Sequence, residues 1–129
     1  MTLPLFDDTT EAPAVEPLAP GAIVLRDFAR AVEATLLADL RAVIEMAPLR
    51  HMVTPGGYRM SVAMTNCGPL GWVSDASGYR YAAIDPQRNA PWPAMPASFR
   101  RLAREAAVRA GFDGFVPDAC LVNRYAPGA

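Results

Sequence analysis

The chain has 129 residues, of which 52% are hydrophobic and 19% charged, and its formal net charge is −1. This composition fits one globular domain with a core and excludes a transmembrane helix, because no run of about 18 apolar residues occurs. The first eight residues lack the basic and long apolar regions of a secretory signal. Cys67 and Cys120 belong to no CxxC pair, which is typical of reduced thiols, so we expect a cytoplasmic protein.

The near-neutral net charge hides an uneven distribution. Residues 1–20 carry four acids and no arginine, whereas residues 50–109 carry eight arginines against three acids, a local charge of +5. All twelve basic residues are arginine, whose planar guanidinium suits phosphates and bases. The middle of the chain is therefore a candidate for contact with nucleic acid, although ordinary solvated charges on helices and loops explain the same pattern.

The first third of the chain predicts a flexible arm, a strand and a helix. Residues 1–20 contain four prolines and scattered acids, which is typical of a flexible arm. Residues 21–25 form a short apolar run that favours a strand. Apolar residues then recur at three- and four-residue steps from about residue 29 to residue 46. This spacing predicts an amphipathic helix that ends before Pro48.

The segment from about residue 50 to residue 85 predicts turns and hairpins. Residues 54–57 form a turn, and alternation over residues 58–65 predicts a strand with one face rich in methionine. A second turn at residues 66–71 and a third at residues 74–78 each lead into an aromatic segment. We expect two successive hairpins with aromatic edges, which together form a flap.

The last part of the chain predicts a loop, a helix and a strand. A proline-rich loop spans residues 85–96, Ser98 is a candidate cap for the next helix, and Gly111 ends that helix. Alternation over residues 119–125 puts a leucine, an asparagine and a tyrosine on one inward face of a strand. Because a buried amide and phenol need partners, we expect the chain to be part of a longer domain, cut inside its functional site.

The residues present favour an aromatic binding site over a metal site. His51 is the only histidine, whereas a mononuclear iron site takes two histidines and a carboxylate. No glycine-rich phosphate loop and no nucleophile elbow occurs. Trp72 and Tyr79 are placed to face each other on paired strands and grip a planar ligand, with Met60 and Met64 as an apolar floor. The alternative is a hairpin whose aromatic side chains only pack on the body of the protein.

Several motifs in order resemble one known family. They lie at residues 51–68, 71–72, 78–81, 84–96 and, above all, 117–129. From about Leu18 onward the chain resembles the amino-terminal half of the bacterial AlkB dioxygenases, which repair alkylated bases in DNA and RNA. The resemblance implies an α+β fold with part of a double-stranded β-helix, or jelly roll, and helices packed on a sheet. It also implies that residues 21–129 belong to one domain with a nucleotide-recognition lid at about residues 50–85.

The resemblance also implies roles for individual residues. The positions that match substrate-binding residues are Trp72, Tyr79, Arg80, Tyr81, Thr54, Met60 and Met64. Of these, Trp72 is the one expected to pack on the methylated base. The positions that match 2-oxoglutarate-binding residues are Leu121, Asn123, Arg124 and Tyr125. The family's iron ligands, His-x-Asp and a later histidine, match no residue of this chain, so we expect no catalytic residue and no metal ligand within it.

The implied reaction is oxidative demethylation of N-alkylated bases in DNA, with RNA as a further candidate substrate, releasing formaldehyde, succinate and CO2. The implied cofactors are iron(II) and 2-oxoglutarate, and the implied partner is alkylated single- or double-stranded DNA. We expect a monomer at full length, and no catalysis by these 129 residues alone. Two alternatives stay open: a non-enzymatic module that binds single-stranded nucleic acid, and a hydroxylase of the same fold that acts on a protein or small molecule.

Overall fold

A computed structural model describes residues 14–128 of the chain. Their elements in chain order are β1 (Val15–Ala19), β2 (Ala22–Leu25), α1 (Glu33–Met46), β3 (Ala63–Cys67), β4 (Gly71–Asp75), β5 (Gly78–Ala82), β6 (Ile84–Asp85), β7 (Ala90–Pro91), α2 (Ala97–Arg109) and β8 (Cys120–Arg124). The strands pair antiparallel as β1 with β2, β3 with β8, β4 with β5, and β6 with β7. Neither α-helix of this region is long and apolar enough to cross a membrane.

The last residues of the flexible arm predicted at residues 1–20 form a strand in the structure. Residues 1–13 lie outside the described residues, but residues 15–19 form β1, which pairs with β2 around a turn at Gly21. An ion pair between Arg26 and Glu16 links the two strands. The prolines that favoured an arm are tolerated because an edge strand needs only part of its N–H groups for pairing.

Both predicted helices are present, and one predicted cap is wrong. Helix α1 ends at Met46 because Ala47, which precedes a proline, takes an extended conformation. Helix α2 begins at Ala97 and its side chains make no cap hydrogen bond. Ser98, predicted as the cap, lies inside the first turn, where its hydroxyl donates to the Asp39 carboxylate of α1 at 2.5 Å. Gly111 ends the helix as predicted, with φ at +94°.

Strand β3 pairs with the last strand of the chain, not with its neighbour in sequence. The predicted strand at residues 58–65 is wrong in its first half, where residues 53–60 form a narrow loop closed by a hydrogen bond from the Met60 N–H to the Met52 carbonyl. Every residue of β3 is buried, so the strand is covered on both faces. The predicted hairpin around residues 74–78 is present as β4 and β5.

Two small apolar clusters hold these elements together. One joins Val43 of α1, Cys67 of β3 and Met95, with the half-buried Phe99 and Cys120 packed against it. The other joins Ala47, Val73 and Trp92. The clusters anchor α1, α2 and the loop that carries Trp92 against one side of β3 and β4, and the cleft described below lies on the other side of these strands.

A glycine-to-alanine change tests the close contact beside Trp92. A Cβ at Gly71 would lie 2.3 Å from the Trp92 indole, so Gly71→Ala is expected to lower the free energy of unfolding by about 1 to 3 kcal/mol. Gly56→Ala is the matched control, since its Cβ would meet nothing nearer than 3.6 Å. Urea denaturation measures both variants. Equal midpoints for Gly71→Ala and wild type would contradict the packing described here.

Candidate functional site

A cleft of about 520 Å³ opens between the β4–β5 hairpin and strand β8. Its lining residues are Met60, Ser61, Val62, Met64, Trp72, Tyr81, Leu121, Asn123 and Tyr125. Strand register explains how they meet, because Met64 lies opposite Asn123 in one ladder and Trp72 lies opposite Tyr81 in the other. The cleft therefore brings together residues predicted to bind a base and residues predicted to bind 2-oxoglutarate.

Trp72 is held from its backbone and from its ring. The side-chain amide of Asn66, which is fully buried, accepts from the Trp72 N–H at 2.9 Å and donates to the Trp72 carbonyl at 3.0 Å. The Tyr79 ring stacks on the indole with a centroid separation of 5.7 Å and an interplanar angle of 19°. The orientation of Trp72 is thus fixed before any ligand arrives, which reduces the entropy lost on binding.

The three residues of β5 that were predicted to bind substrate lie on two different faces. Tyr79 and Tyr81 pair in register with Ser74 and Trp72, on the aromatic face, and both tyrosines are exposed. Arg80 lies on the opposite face, where its guanidinium donates twice to the Asp75 carboxylate, at 2.7 and 2.9 Å. These hydrogen bonds hold the pKa of Asp75 below its usual value. Arg80 is therefore a structural partner within the hairpin and not a lining residue of the cleft.

Strand β8 supplies the polar end of the cleft. The Asn123 amide donates to the Tyr125 hydroxyl at 3.3 Å, so an amide and a phenol stand side by side next to Leu121. The prediction that this face is buried is wrong, because Leu121 is 40% and Tyr125 64% exposed. Among the described residues, β8 has its one ladder partner in β3, and an isolated bridge joins Leu70 to Ala119, the residue before β8.

Two further predicted residues lie away from the cleft. Thr54 sits in the narrow loop, where its hydroxyl accepts from the Tyr58 N–H at 3.1 Å. Arg124 follows Asn123 and is paired in register with Ala63, so it lies on the opposite face of β8 from the cleft. The structure thus brings together eight of the eleven residues predicted to bind a ligand when Tyr79, which stacks on Trp72, is counted with the lining.

The residues of this chain fit 2-oxoglutarate better than they fit iron. Amide and phenol hydrogens, such as those of Asn123 and Tyr125, are suitable donors for the oxygens of an oxo acid. Within residues 14–128 no group of three His, Cys, Asp or Glu side chains is placed to hold a metal ion. His51, the only histidine, hydrogen-bonds through Nδ1 to the Met60 carbonyl at 2.9 Å, which requires a proton on Nδ1.

A pair of free thiols lies in the β3–β8 ladder, on the opposite face from the cleft residues Leu121 and Asn123. Cys67 and Cys120 are partners in the β3–β8 ladder, and Cys120 immediately precedes Leu121. A hydrogen bond from Cys67 lowers the pKa of Cys120 to about 7, whereas the same contact together with burial raises the pKa of Cys67. Sequence reasoning treated the two thiols separately because they are far apart along the chain; the strand pairing brings them together.

A buried ion pair between Arg50 and Asp85 lies next to the cleft residue Met64, and the sequence did not predict it. Arg50 Nη1 lies 2.6 Å from Asp85 Oδ1, and the Asp85 side chain is fully buried. The Arg50 guanidinium also lies over the Trp92 ring, 5.2 Å from its centroid. Backbone hydrogen bonds in both directions join Arg50 to Met64, which lines the cleft. No spacing signal predicts this pair, since its members are 35 residues apart, with Arg50 between α1 and β3 and Asp85 at the end of the two-residue strand β6.

Known proteins with the same sequence pattern identify the family of this chain. A model of the 2OG-Fe(II) oxygenase superfamily matches residues 21–129. The chain is 60% identical over 127 residues to the alpha-ketoglutarate-dependent dioxygenase AlkB of Salmonella typhimurium and 58% identical over 127 residues to that of Escherichia coli. In both cases 98% of the chain is aligned. A Caulobacter vibrioides AlkB homolog is 42% identical over 110 residues, which are 85% of the chain and 46% of that protein.

The alignments also fix how much of such a protein is present. The chain spans 58% of the length of the Salmonella and Escherichia relatives. The matches confirm the resemblance to the AlkB dioxygenases that the motifs predicted. They extend beyond the cleft to both helices and include all four strands that line it, β3, β4, β5 and β8. With its cleft and its sequence in agreement, this chain belongs to the 2OG-Fe(II) oxygenase superfamily.

Proposed function

We propose that the protein to which this chain belongs is an iron(II)- and 2-oxoglutarate-dependent dioxygenase that removes alkyl groups from bases in nucleic acid. The observation that carries the proposal is a single cleft in which Trp72, Met60 and Met64 face Asn123 and Tyr125. An aromatic and methionine surface suits a flat, methylated base, and the adjoining amide and phenol suit an oxo acid. The relatives are named as alpha-ketoglutarate-dependent dioxygenases, which agrees with a cleft that has one side for a base and one side for an oxo acid.

On the base side, the chain's own residues bind and orient the substrate. Trp72 offers one face of its indole to the base, while Tyr79 supports the other side and Asn66 fixes the backbone. The thioether groups of Met60 and Met64 adapt to the alkyl substituent. Tyr81, at the exposed rim, lies near the sugar-phosphate part of a base turned into the cleft. A lesion that blocks base pairing lowers the cost of turning the base out, which favours damaged bases.

On the cosubstrate side, Asn123 and Tyr125 hold 2-oxoglutarate by donated hydrogen bonds, and Leu121 packs beside it. Iron(II), when bound, would supply the activation of dioxygen that, with decarboxylation of 2-oxoglutarate to succinate, oxidises the alkyl carbon so that it leaves as an aldehyde. Its usual two histidines cannot both come from this chain, which has one histidine, already engaged with the Met60 carbonyl. We therefore expect the 129 residues alone to bind the base and 2-oxoglutarate but not to catalyse the dealkylation.

Several finer features belong to the same proposal. The β4–β5 hairpin and the loop before it act as the nucleotide-recognition lid, and β3 with β8 begins the jelly roll. DNA is the expected substrate and RNA a further candidate. A cytoplasmic location suits the free thiols of Cys67 and Cys120, and a monomer suits a cleft built from one chain.

Formaldehyde release tests the proposal. The product of the complete gene that encodes this chain, supplied with iron(II), 2-oxoglutarate, ascorbate and an N-methylated oligonucleotide, should release formaldehyde and succinate in equal amounts. The 129-residue chain under the same conditions should release none. Methylated-oligonucleotide binding by the complete gene product without formaldehyde would instead favour a non-enzymatic binding module. Turnover of a peptide or small molecule with no effect of the oligonucleotide would favour a hydroxylase of another substrate class.

A further inference from the structure

One face of helix α2 carries most of the chain's unpaired positive charge. Arg100, Arg101, Arg104 and Arg109 line a groove of about 660 Å³ together with a single acid, Glu105, so four arginines less one glutamate leave a charge of +3. We call these four residues the arginine face. Arg100 and Arg104 lie one helical turn apart, Arg101 adjoins Arg100, and Arg109 lies at the end of the helix, so the four line the groove along its length.

The sequence pattern of α2 makes this face solvent-exposed. The positions between the arginines, at residues 98–99, 102–103 and 106–107, are half-buried, and Phe99 packs against the core cluster. All four arginines are exposed. Since Arg100 and Arg104 are like charges one helical turn apart, their spacing costs stability unless an anion binds.

Seven of the twelve arginines have no acidic partner within residues 14–128, and four of these seven lie on α2; the other three are Arg41, Arg59 and Arg124. Arg26, Arg30, Arg50, Arg80 and Arg88 each form an ion pair with an aspartate or glutamate. Among the described residues, no member of the arginine face forms one. The guanidinium of Arg109 is also oriented by Phe28, whose ring centroid lies 5.7 Å away across the groove. The groove thus combines free guanidinium groups with one aromatic wall.

We propose that the arginine face binds the phosphodiester backbone of nucleic acid outside the cleft. Guanidinium groups pair with phosphate oxygens by two hydrogen bonds, and successive arginines along a helix suit a ligand with repeated phosphates. The choice of nucleic acid as the polyanion depends on the function proposed above. No residue that lines the cleft belongs to α2, so this surface is separate from the site that recognises the base. The arginine face would increase the affinity for nucleic acid equally for all sequences and for damaged and undamaged bases.

Salt-dependent binding of an unmodified single-stranded oligonucleotide tests the proposal. The complete gene product is compared with Arg100→Gln/Arg104→Gln and with the charge-matched control Arg30→Gln/Arg41→Gln, whose arginines lie outside the groove. Loss of two phosphate contacts is expected to weaken binding about 25-fold at about 0.1 M salt and to reduce the slope of log K against log salt by about 1.4. The control double variant should bind as wild type does.

The outcomes separate this proposal from the proposed function. Equal affinity and slope in the two double variants would overturn it, even if methylated substrate still releases formaldehyde. Reduced affinity in Arg100→Gln/Arg104→Gln alone would support it, even if no formaldehyde appears. Loss of binding to phosphatidylserine vesicles in that variant, with oligonucleotide binding unchanged, would also overturn it. In the variant, the ratio of affinities for methylated and unmodified oligonucleotide should stay as in wild type, because the cleft is intact.

Discussion

Replacement of Trp72 by alanine is expected to weaken binding of an N-methylated oligonucleotide to the complete gene product by about 1 to 3 kcal/mol, roughly 5- to 150-fold in Kd. The indole is oriented by Asn66 and stacked on Tyr79, so its loss removes the largest flat surface of the cleft. Fluorescence anisotropy with a labelled oligonucleotide measures the change. Selectivity over the unmethylated oligonucleotide should fall in parallel, since the cleft contacts only the base that is turned out.

Two variants make that result specific. Phe115→Ala removes an aromatic side chain that is 48% exposed and lies outside both the cleft and the lid segment, so Kd should stay at the wild-type value. Trp72→Phe keeps a ring at the same place and should lose less affinity than Trp72→Ala. If Phe115→Ala and Trp72→Ala weakened binding equally, the cleft would not be the base-binding site.

Replacement of Arg50 by alanine is expected to lower the free energy of unfolding by about 3 to 5 kcal/mol. The change leaves the fully buried Asp85 carboxylate without its 2.6 Å partner and removes the cation over Trp92. Such a loss is a large part of the stability of an ordinary domain. Urea denaturation at neutral pH measures it. Arg41→Ala, on the exposed surface of α1, is the matched control and should change little.

The pH dependence of the same variant identifies the charge responsible. Burial raises the pKa of Asp85, but hydrogen bonds from Arg50 and from the Gln87 N–H outweigh it, so the pKa lies below its ordinary 3.8. A carboxyl group whose pKa is lower in the folded state stabilises the protein at pH values above its unfolded-state pKa, and this stabilisation is lost as the pH falls through its folded-state pKa. The difference in free energy of unfolding between wild type and Arg50→Ala should therefore become smaller below about pH 4. A difference that stays constant to lower pH would assign the effect to packing on Trp92 instead.

What the sequence predicted well depends on local patterns. The stripe of α1, the glycine at the end of α2 and the turn between β4 and β5 each result from neighbours in sequence, so periodicity and turn residues predict them. The start of β3 was placed too early, because alternation at residues 58–65 does not reveal the narrow loop closed between Met52 and Met60. The pairing of β3 with β8 depends on contacts across more than fifty residues, and no local pattern encodes it.

The candidate site likewise contains residues that the sequence predicted and residues whose role depends on tertiary contacts. Motif resemblance selected Trp72, Met64 and Asn123, which the fold brings into one cleft. It also selected Arg80, whose side chain the strand directs to the other face, where Asp75 binds it. Alternation within β5 predicts that Arg80 points away from its tyrosine neighbours, so this signal was available in the sequence. The buried partners Asn66 and Asp85 had no such signal, because their importance comes from tertiary contacts.

Methyl NMR of the methionines tests most directly whether the cleft is the base-binding site. The chain has six methionines, of which Met60 and Met64 line the cleft and Met95 lies in the core cluster. The complete gene product, labelled at methionine methyl groups and kept without 2-oxoglutarate, is titrated with an N-methylated oligonucleotide. We predict that the Met60 and Met64 signals shift while the Met95 signal and that of the exposed Met46 do not. Saturable binding with no shift at Met60 and Met64 would contradict the account.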